Sequence, residues 1–512
     1  MNVVVAVAGP VVPAWQRACV DALRAVDGAH VRVARVPGTP WREPAGYTSP
    51  LRGAALAAAT LDPDAGDDDL AGADVVLDLS GTDLASAAPH GVWSFRLGES
   101  NDTALPFARE IAAGAPTFAI ELVRRIGDRR EILRAGRFGV TSWYRGTARL
   151  ALTEAGRWPA TLVAALGAGS SLAVAGDGAA PGRGDLSAGE RIAFVCRLGF
   201  NLGRSLFAAL FEITEWNVGF AAGGARALLS GEPLAVRWLP RPARFSFIAD
   251  PFVVERDGVR ALLVEQFEYG RNRGVIDALV LDDHDAVVRS VRALDLPAHL
   301  SFPHPVELDG ELYIVPESCA ANEAALYRCE RFPDVWRREQ TVFPFDAVDT
   351  TLFAHDGRWW AFCTRWSRGS TLGLHAFHSA SPRGPWTEHS LNPIVVDVAT
   401  ARPAGQPFVV DGTLYRSGQD CSRTYGGGVA IARIDELSPT AYRETVVRRF
   451  DGREFGRYDA GFHTVSFTRD DVVVDGKHVY HDVRKLGWAL RRIRAKLARK
   501  FRGRALTAPK VA

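Results

Sequence analysis

The sequence predicts a multidomain chain, α/β followed by all-β. It comprises an N-terminal doubly wound parallel sheet, a helical connector and a C-terminal five-bladed β-propeller. The first observation is a repeat between Phe245 and Tyr480. Each copy opens on a polar, acidic or Pro-containing start, runs into apolar residues, turns at Asp-Gly and continues as an aromatic-rich strand. The copies begin at Ala249-Asp250-Pro251-Phe252, Ser301-Phe302-Pro303-His304, Asp349-Thr350-Thr351-Leu352, Gly405-Gln406-Pro407-Phe408 and, more weakly, Phe462-His463-Thr464-Val465. Second, Asp-Gly pairs start at 257, 309, 356, 411 and 475. This dipeptide between alternating apolar runs is a strong hairpin signal, because both turn positions tolerate positive φ. Five hairpin repeats of about fifty residues fit five blades. Third, residues 1–150 alternate continuous apolar strands with an amphipathic helix, the order of a parallel sheet.

A chain of 512 residues exceeds what one core usually supports, and the boundaries are expected at 1–150, 151–235, 236–483 and 484–512. In the first part, residues 3–8 form an apolar strand and Gly9-Pro10 a turn. Residues 15–26 form a helix with Trp15, Cys19, Leu23 and Val26 on one face. Strands follow at 31–36 and 73–80, and ligands of such sheets sit beyond the strand carboxyl ends, near Gly9-Pro10 and Ser80-Gly81. No G-x-G-x-x-G or Walker signature is present, so no dinucleotide or other cofactor is expected. A net charge of +2 argues against nucleic acid as a partner. The six cysteines lack C-x-x-C pairs and zinc spacing, so no metal is expected and free thiols in a reducing cytoplasm are. Residues 1–10 lack a basic n-region and read as a buried strand, not a signal peptide. No charge-free apolar stretch of membrane-spanning length is seen. Abundant Ala, Arg and Gly with a single Met suggest a GC-rich bacterial source.

The segment Gly91-Val92-Trp93-Ser94-Phe95-Arg96-Leu97-Gly98, with Gly114-Ala115-Pro116-Thr117 and Gly127-Asp128-Arg129-Arg130-Glu131-Ile132-Leu133, resembles formyltransferases of the methionyl-tRNA and sugar-amine type. The resemblance implies a strand with an Asn-x-His pair and a later Asp, which manage the proton on an attacking amine. Here Trp93 and Phe95 stand at the Asn and His positions and Asp128 at the aspartate. Trp and Phe move no proton, so the expectation is a degenerate domain kept for packing or binding. His90, two positions before the strand, is either a displaced acid–base group or structural.

Residues 150–166 read as a helix and 176–184 as a flexible loop. Ser187 and Glu190 offer a capping box before a long helix over 191–216. Ile192, Val195, Leu198, Leu202, Leu206 and Leu210 follow helical spacing, interrupted by Arg197, Asn201 and Arg204, and a helix packed between domains is expected. At the other end, Leu486, Leu490, Ile493, Leu497 and Phe501 form one stripe among ten Lys and Arg over 484–504. Such a helix suits peripheral contact with an anionic membrane or docking with a solvated basic face. The expected location is cytoplasmic, with peripheral contact on the inner membrane face.

The propeller region carries further spelled motifs: Phe247-Ile248-Ala249-Asp250-Pro251-Phe252, His299-Leu300-Ser301-Phe302-Pro303, Val315-Pro316-Glu317-Ser318, Gly384-Pro385-Trp386-Thr387-Glu388-His389, Ala401-Arg402-Pro403-Ala404-Gly405 and Gly418-Gln419-Asp420-Cys421. In this order they resemble the propeller-like N-terminal domain of glucosamine inositolphosphorylceramide transferases. That domain is in turn similar to five-bladed arabinanase- and fructosidase-like glycoside hydrolases, and the resemblance implies carboxylates from successive blades around a central pit. Making or breaking a glycosidic bond needs one carboxyl to move a proton on the bridging oxygen and another to attack or stabilise the oxocarbenium-like centre. The candidates are Glu317 as general acid or base, Asp250 as base, nucleophile or stabiliser, Asp349 as its third-blade counterpart, and Asp420. Glu265, His304, Arg402 and Trp366 are the candidate substrate contacts, Arg402 for a phosphate. Asp257, Asp309, Asp356, Asp411 and Asp475 are assigned to turns. The functional expectation is glycosyl transfer or glycosidic-bond processing on a surface polysaccharide or glycolipid. The alternatives are a sugar-amine formyltransferase and a non-catalytic glycan-binding scaffold.

Overall fold

The structure, a computed structural model, describes the chain except residues 42–53, 65, 67–68, 100–104, 173, 179–185 and 492–512. Strands β1 (Asn2–Val7), β2 (His30–Arg35), β3 (Val75–Asp78), β4 (Val92–Leu97), β5 (Thr117–Ile126), β6 (Arg129–Gly139) and β7 (Gly176–Asp177) form one sheet in the order β2-β1-β3-β4-β5-β6-β7. The first four in that order are parallel, as their unbroken apolar runs predict. The rest are antiparallel, in a domain expected to be parallel, with Gly127 at φ 57° closing a tight hairpin between β5 and β6. Helices α1 (Ala14–Arg24), α2 (Ala108–Ala113), α3 (Tyr144–Ala155) and α4 (Trp158–Gly167) share one core with Val3, Val5 and Leu77. The opposite face, with Val4, Ala6 and Val76, is covered by loop residues Leu70, Leu84 and Ala88. Among the described residues the sheet is therefore mixed, parallel over four strands, with these four helices packed on one face.

Helix α5 (Ala188–Phe211) begins at the expected capping box: Ser187 Oγ accepts from the Glu190 amide at 3.3 Å, and the Glu190 carboxylate accepts from the Ser187 amide at 2.7 Å. It ends earlier than expected, because residues from Glu212 onward enter a strand. It is also not enclosed between domains. Phe194 alone is fully buried, while Ile192 is 67% and Phe200 60% exposed, with Val195, Leu206 and Phe207 also outward. The helix is long and apolar enough to cross a membrane by length and composition.

Five sheets then form the propeller. Blade one is β10 (Ser246–Arg256), β11 (Val259–Glu268), β12 (Arg273–Leu281) and β13 (Val287–Leu294). Blade two is β14 (Ser301–Leu308), β15 (Glu311–Glu317), β16 (Ala324–Arg331) and β17 (Val335–Phe343). Blade three contains β18 (Ala347–His355), β19 (Arg358–Arg365), β20 (Gly373–Ser379) and β21 (Thr387–Glu388). Blade four is β22 (Phe408–Val410), β23 (Thr413–Asp420), β24 (Gly428–Leu437) and β25 (Tyr442–Asp451). Blade five joins both sides of the ring, with β26 (Val465–Phe467) and β27 (Asp471–His481) paired to β8 (Glu212–Ala222) and β9 (Arg237–Trp238). The propeller thus begins inside the segment expected to be a helical connector. An apolar cluster fills each of the five junctions between neighbouring blades, so the ring is closed by packing as well as by strand pairing.

Four of the Asp-Gly pairs are the expected turns: Asp257, Asp309, Asp356 and Asp411 and their glycines all have positive φ. The fifth is not. Asp475-Gly476 lies mid-strand in β27, opposite Val218 and Asn217 of β8. Its strand partner β8 comes from the other end of the propeller, so no reversal occurs there.

Candidate active site

The inner strands of three blades carry the same local distortion. Their pairing slips between Ala249 and Phe252, between Ser301 and His304, and between Val348 and Thr351. At the slip the backbone turns left-handed, at Asp250 (φ 52°), Phe302 (φ 44°) and Asp349 (φ 51°). Such a bulge re-aims a side chain, and Asp tolerates the conformation better than most residues. In blade four the corresponding position is Gly405 (φ 140°), where a Cβ would lie 1.9 Å from the Val465 carbonyl oxygen. The bulges place Asp250 and Asp349 in equivalent positions. Second-strand acids repeat too: Glu265 pairs with Ala249 and Glu317 with Ser301, the same position in blades one and two.

These acids meet at the centre of the ring. The Asp250 carboxylate accepts from the Phe302 amide at 3.0 Å and from Thr464 Oγ1 at 2.6 Å. Asp475 accepts from the amides of Asp250 (3.1 Å), His463 (2.9 Å) and Thr464 (3.0 Å), and His463 Nδ1 lies 2.6 Å from its carboxylate. The other His463 nitrogen is 3.7 Å from Asp250, and Trp216 stacks on the imidazole at 3.9 Å. Across the pit Asp349 is gripped by Arg402 at 2.6 and 3.2 Å and by Gln419 Nε2 at 3.0 Å. Glu317 accepts from Ser301 Oγ at 3.1 Å and from the Cys319 amide at 2.9 Å. Glu265 has His299 Nε2 at 3.5 Å. Tyr425, with the Arg402 guanidinium 5.0 Å from its ring, is half open to solvent at the rim.

Five buried acids, Asp250, Glu265, Glu317, Asp349 and Asp475, thus face two cationic groups, Arg402 and His463. Burial pushes Glu265 well above the usual carboxylate range, and the charges of Asp250, Glu317, Asp475 and Asp349 push the same way. Burial likewise raises Asp349, up to about 7, against the pull of Arg402. Asp250 is raised by burial and by Asp475, opposed by His463. For His463, burial disfavours the charge, yet Asp475 and Asp250 on either side raise it overall. Burial and mutual repulsion thus favour the protonated form of several pit acids, the kind of perturbation general acid–base chemistry uses.

Asp250, His463 and Asp475 offer atoms all within 4.8 Å of one another and could ligate a metal ion, although the hydrogen bonds above also account for their arrangement. Neither His463 nor Asp475 was expected at the site. The legible signal was an acid ending the apolar run Val472-Val473-Val474-Asp475.

Other expected residues lie elsewhere. Asp420 follows Gln419 in β23, and neighbouring strand residues point to opposite faces. Gln419 takes the inward place, while Asp420 pairs with Arg449 at 3.5 Å and receives the Ser422 amide at 3.0 Å. Trp366 is 62% exposed in the one-turn helix Trp366–Arg368. His304 is buried with a ring nitrogen 3.0 Å from the Leu352 carbonyl, and burial lowers it to about 4, so it belongs to the junction between inner strands. Arg402 does lie in the pit, where Nε and Nη2 bind Asp349. In the N-terminal sheet Trp93 is fully buried and donates to the His90 carbonyl at 2.9 Å, Phe95 meets Trp15 edge-on, and Asp128 is exposed in the hairpin after β5. That segment presents no acid–base set of the formyltransferase kind.

Residues 240–458 match the family described as glucosamine inositolphosphorylceramide transferase 1, N-terminal. The similar curated proteins come from plants. Glucosamine inositolphosphorylceramide transferase 1 of Oryza sativa subsp. japonica is 35% identical over 208 residues, 40% of this chain and 28% of that protein. The Arabidopsis thaliana protein of the same name is 35% identical over 208 residues, 40% of this chain and 27% of that one. The chain thus spans little more than a quarter of these relatives. Similar solved structures include CoXyl43, a GH43 β-xylosidase/α-arabinofuranosidase from a compost microbial metagenome, with 14% identity, TM-score 0.33 and coverage of 46% of this chain and 90% of that one. An exo-β-1,3-galactanase from Phanerochaete chrysosporium shows 10% identity and TM-score 0.34, covering 42% of this chain and 53% of that one.

Proposed function

We propose that the propeller is a carbohydrate-active domain whose central acids make or break a glycosidic bond on a glycolipid or surface polysaccharide, at the cytoplasmic face of a membrane. One observation carries this: five buried acids converge on one pit with two cations between them. Buried carboxylates so arranged cannot all ionise, so protonated and ionised members coexist. Glu265 is the proton donor in this reading. Asp250, with both oxygens held by donors from blades two and five, supplies the negative charge facing the oxocarbenium-like centre, and Glu317 the second acid or base. Asp349 with Arg402 fixes the far wall. Similarity to proteins named as transferases of glucosamine and inositolphosphorylceramide supports a glycolipid substrate, but the matched family describes their N-terminal part, so hydrolysis and transfer are both tested.

The test is turnover of aryl glycosides and of sugar transfer to lipid acceptors. Glu265→Gln and Asp250→Asn should each lower the rate by about 100-fold or more with unchanged circular dichroism. Wild-type turnover in both variants would sink the reading. The tight Asp349–Arg402 pair also favours a second reading, a rigid glycan-binding scaffold. Glycan binding by the wild type, unaltered in both variants and without turnover, would select it.

A further inference from the structure

A second polar cavity lies away from the acid pit. It measures about 300 Å³ and sits where α5, the N-terminal sheet and the propeller meet. Arg197 and Arg204 of α5 line it with Arg423 from the loop after β23, joined by Asn201, Ser142 and Ser422. No carboxylate lines it, and among the described residues none of the three guanidiniums forms an ion pair. By contrast the buried Arg402 and Arg416 are each paired with an acid. Three like charges around one cavity repel one another, and the arrangement gains stability once an anion enters.

The helix that carries two of these arginines buries Phe194 but leaves most of its apolar residues outward. Its polar residues Arg197 and Asn201 face the cavity, whereas Ile192, Val195, Leu206 and Phe207 point to solvent. The third arginine shares its loop with the pit: Gln419 before it binds Asp349, and Tyr425 after it packs on Arg402.

We propose that this arginine cavity binds a phosphate group, borne by a soluble ester or by a lipid headgroup. Guanidinium forks match phosphate oxygens in pairs, and the hydroxyls and amide supply further donors. Its volume, at the small end of ligand sites, leaves room for the phosphate and part of the group that bears it. The inference stands on the cavity and not on the chemistry assigned to the acids.

The experiment uses the full chain with two probes: glucose 1-phosphate by calorimetry, and phosphatidylcholine vesicles carrying phosphatidic acid by co-sedimentation. Arg204 and Arg423 are exposed, so the double variant Arg204→Gln/Arg423→Gln should fold normally. Each substitution should weaken binding about tenfold, whereas Arg331→Gln, on the rim of blade two, should change nothing. Binding of the soluble ester, lost in the double variant, assigns a soluble source. Binding of the vesicles alone, lost likewise, assigns a lipid headgroup. Failure of the wild type to bind either probe, or equal binding by wild type and double variant, overturns the proposal. A chain inactive after Glu265→Gln but still binding phosphate separates this site from the acid pit.

Discussion

Glu265 shows how far the surroundings of one side chain can move its chemistry. It is buried and flanked by other acids, with His299 Nε2 3.5 Å away. Its folded-state pKa lies well above the value of the unfolded chain, as does that of Asp349, raised to about 7. For a group raised in this way, stability is fully present below the unfolded value and is lost as pH rises through the folded one. His304 and His375, held neutral by burial, act with the opposite sign below about pH 6.5. The informative quantity is therefore the difference between variant and wild type. Between about pH 5 and about pH 8, the thermal midpoint of Glu265→Gln should rise relative to wild type, because Gln reproduces the neutral acid and cannot ionise. A pH-independent difference would show that Glu265 is ionised throughout. Arg402 fits the same picture from the other side, since its partner Asp349 is the counter-charge that makes a buried guanidinium tolerable.

At the scale of elements, Asp-Gly pairs that look alike in sequence do two different jobs. Gly357 has φ 70° and open space around its Cα, so its role is conformational. Gly476 lies within β27, where an added Cβ would meet the Trp238 ring at 2.3 Å and Tyr458 Cβ at 2.7 Å, so its role is steric. Gly357→Ala should cost about 1 kcal/mol and Gly357→Asn less, because Asn tolerates the left-handed region. Gly476→Ala should cost about 1–3 kcal/mol from overpacking, and Gly476→Asn more. Urea denaturation of the four variants checks the order; the same order at both positions would refute the distinction. The contrast also explains what could be read from the sequence. Hairpin turns and the acids of Asp250, Glu317 and Asp349 stand out because their signals are local: a dipeptide, a bulge before an apolar run, an acid ending a strand. Asp475 and His463 could not be placed, because their setting depends on β8, which enters from the other end of the propeller. The outward face of α5 escaped for another reason, since periodicity finds a stripe but not the side to which it turns.

For the whole molecule, ring closure ties the site to the part of the chain that precedes it. β8 pairs with β27 along its full length, from Glu212 opposite His481 to Ala222 opposite Asp471. Val218 and Phe220 of β8 also pack with Leu262 and Val264 of blade one. A chain begun at residue 236, where composition suggests a domain boundary, would leave β27 with an unpaired edge and open that junction. Asp475 would lose the strand that holds it, and with it the Asp250 and His463 amides would lose their common acceptor. A chain begun at residue 212 keeps all five blades. The longer fragment should unfold in one cooperative thermal transition and resist limited proteolysis. The shorter should show neither property and should aggregate through its exposed edge. Equal cooperativity in the two fragments would mean that four blades and a half-built fifth suffice, and the pit could then not depend on closure. Because the acids come from blades one, two, three and five, their convergence is a property of the closed ring, and a defect in closure should cost activity before it costs secondary structure.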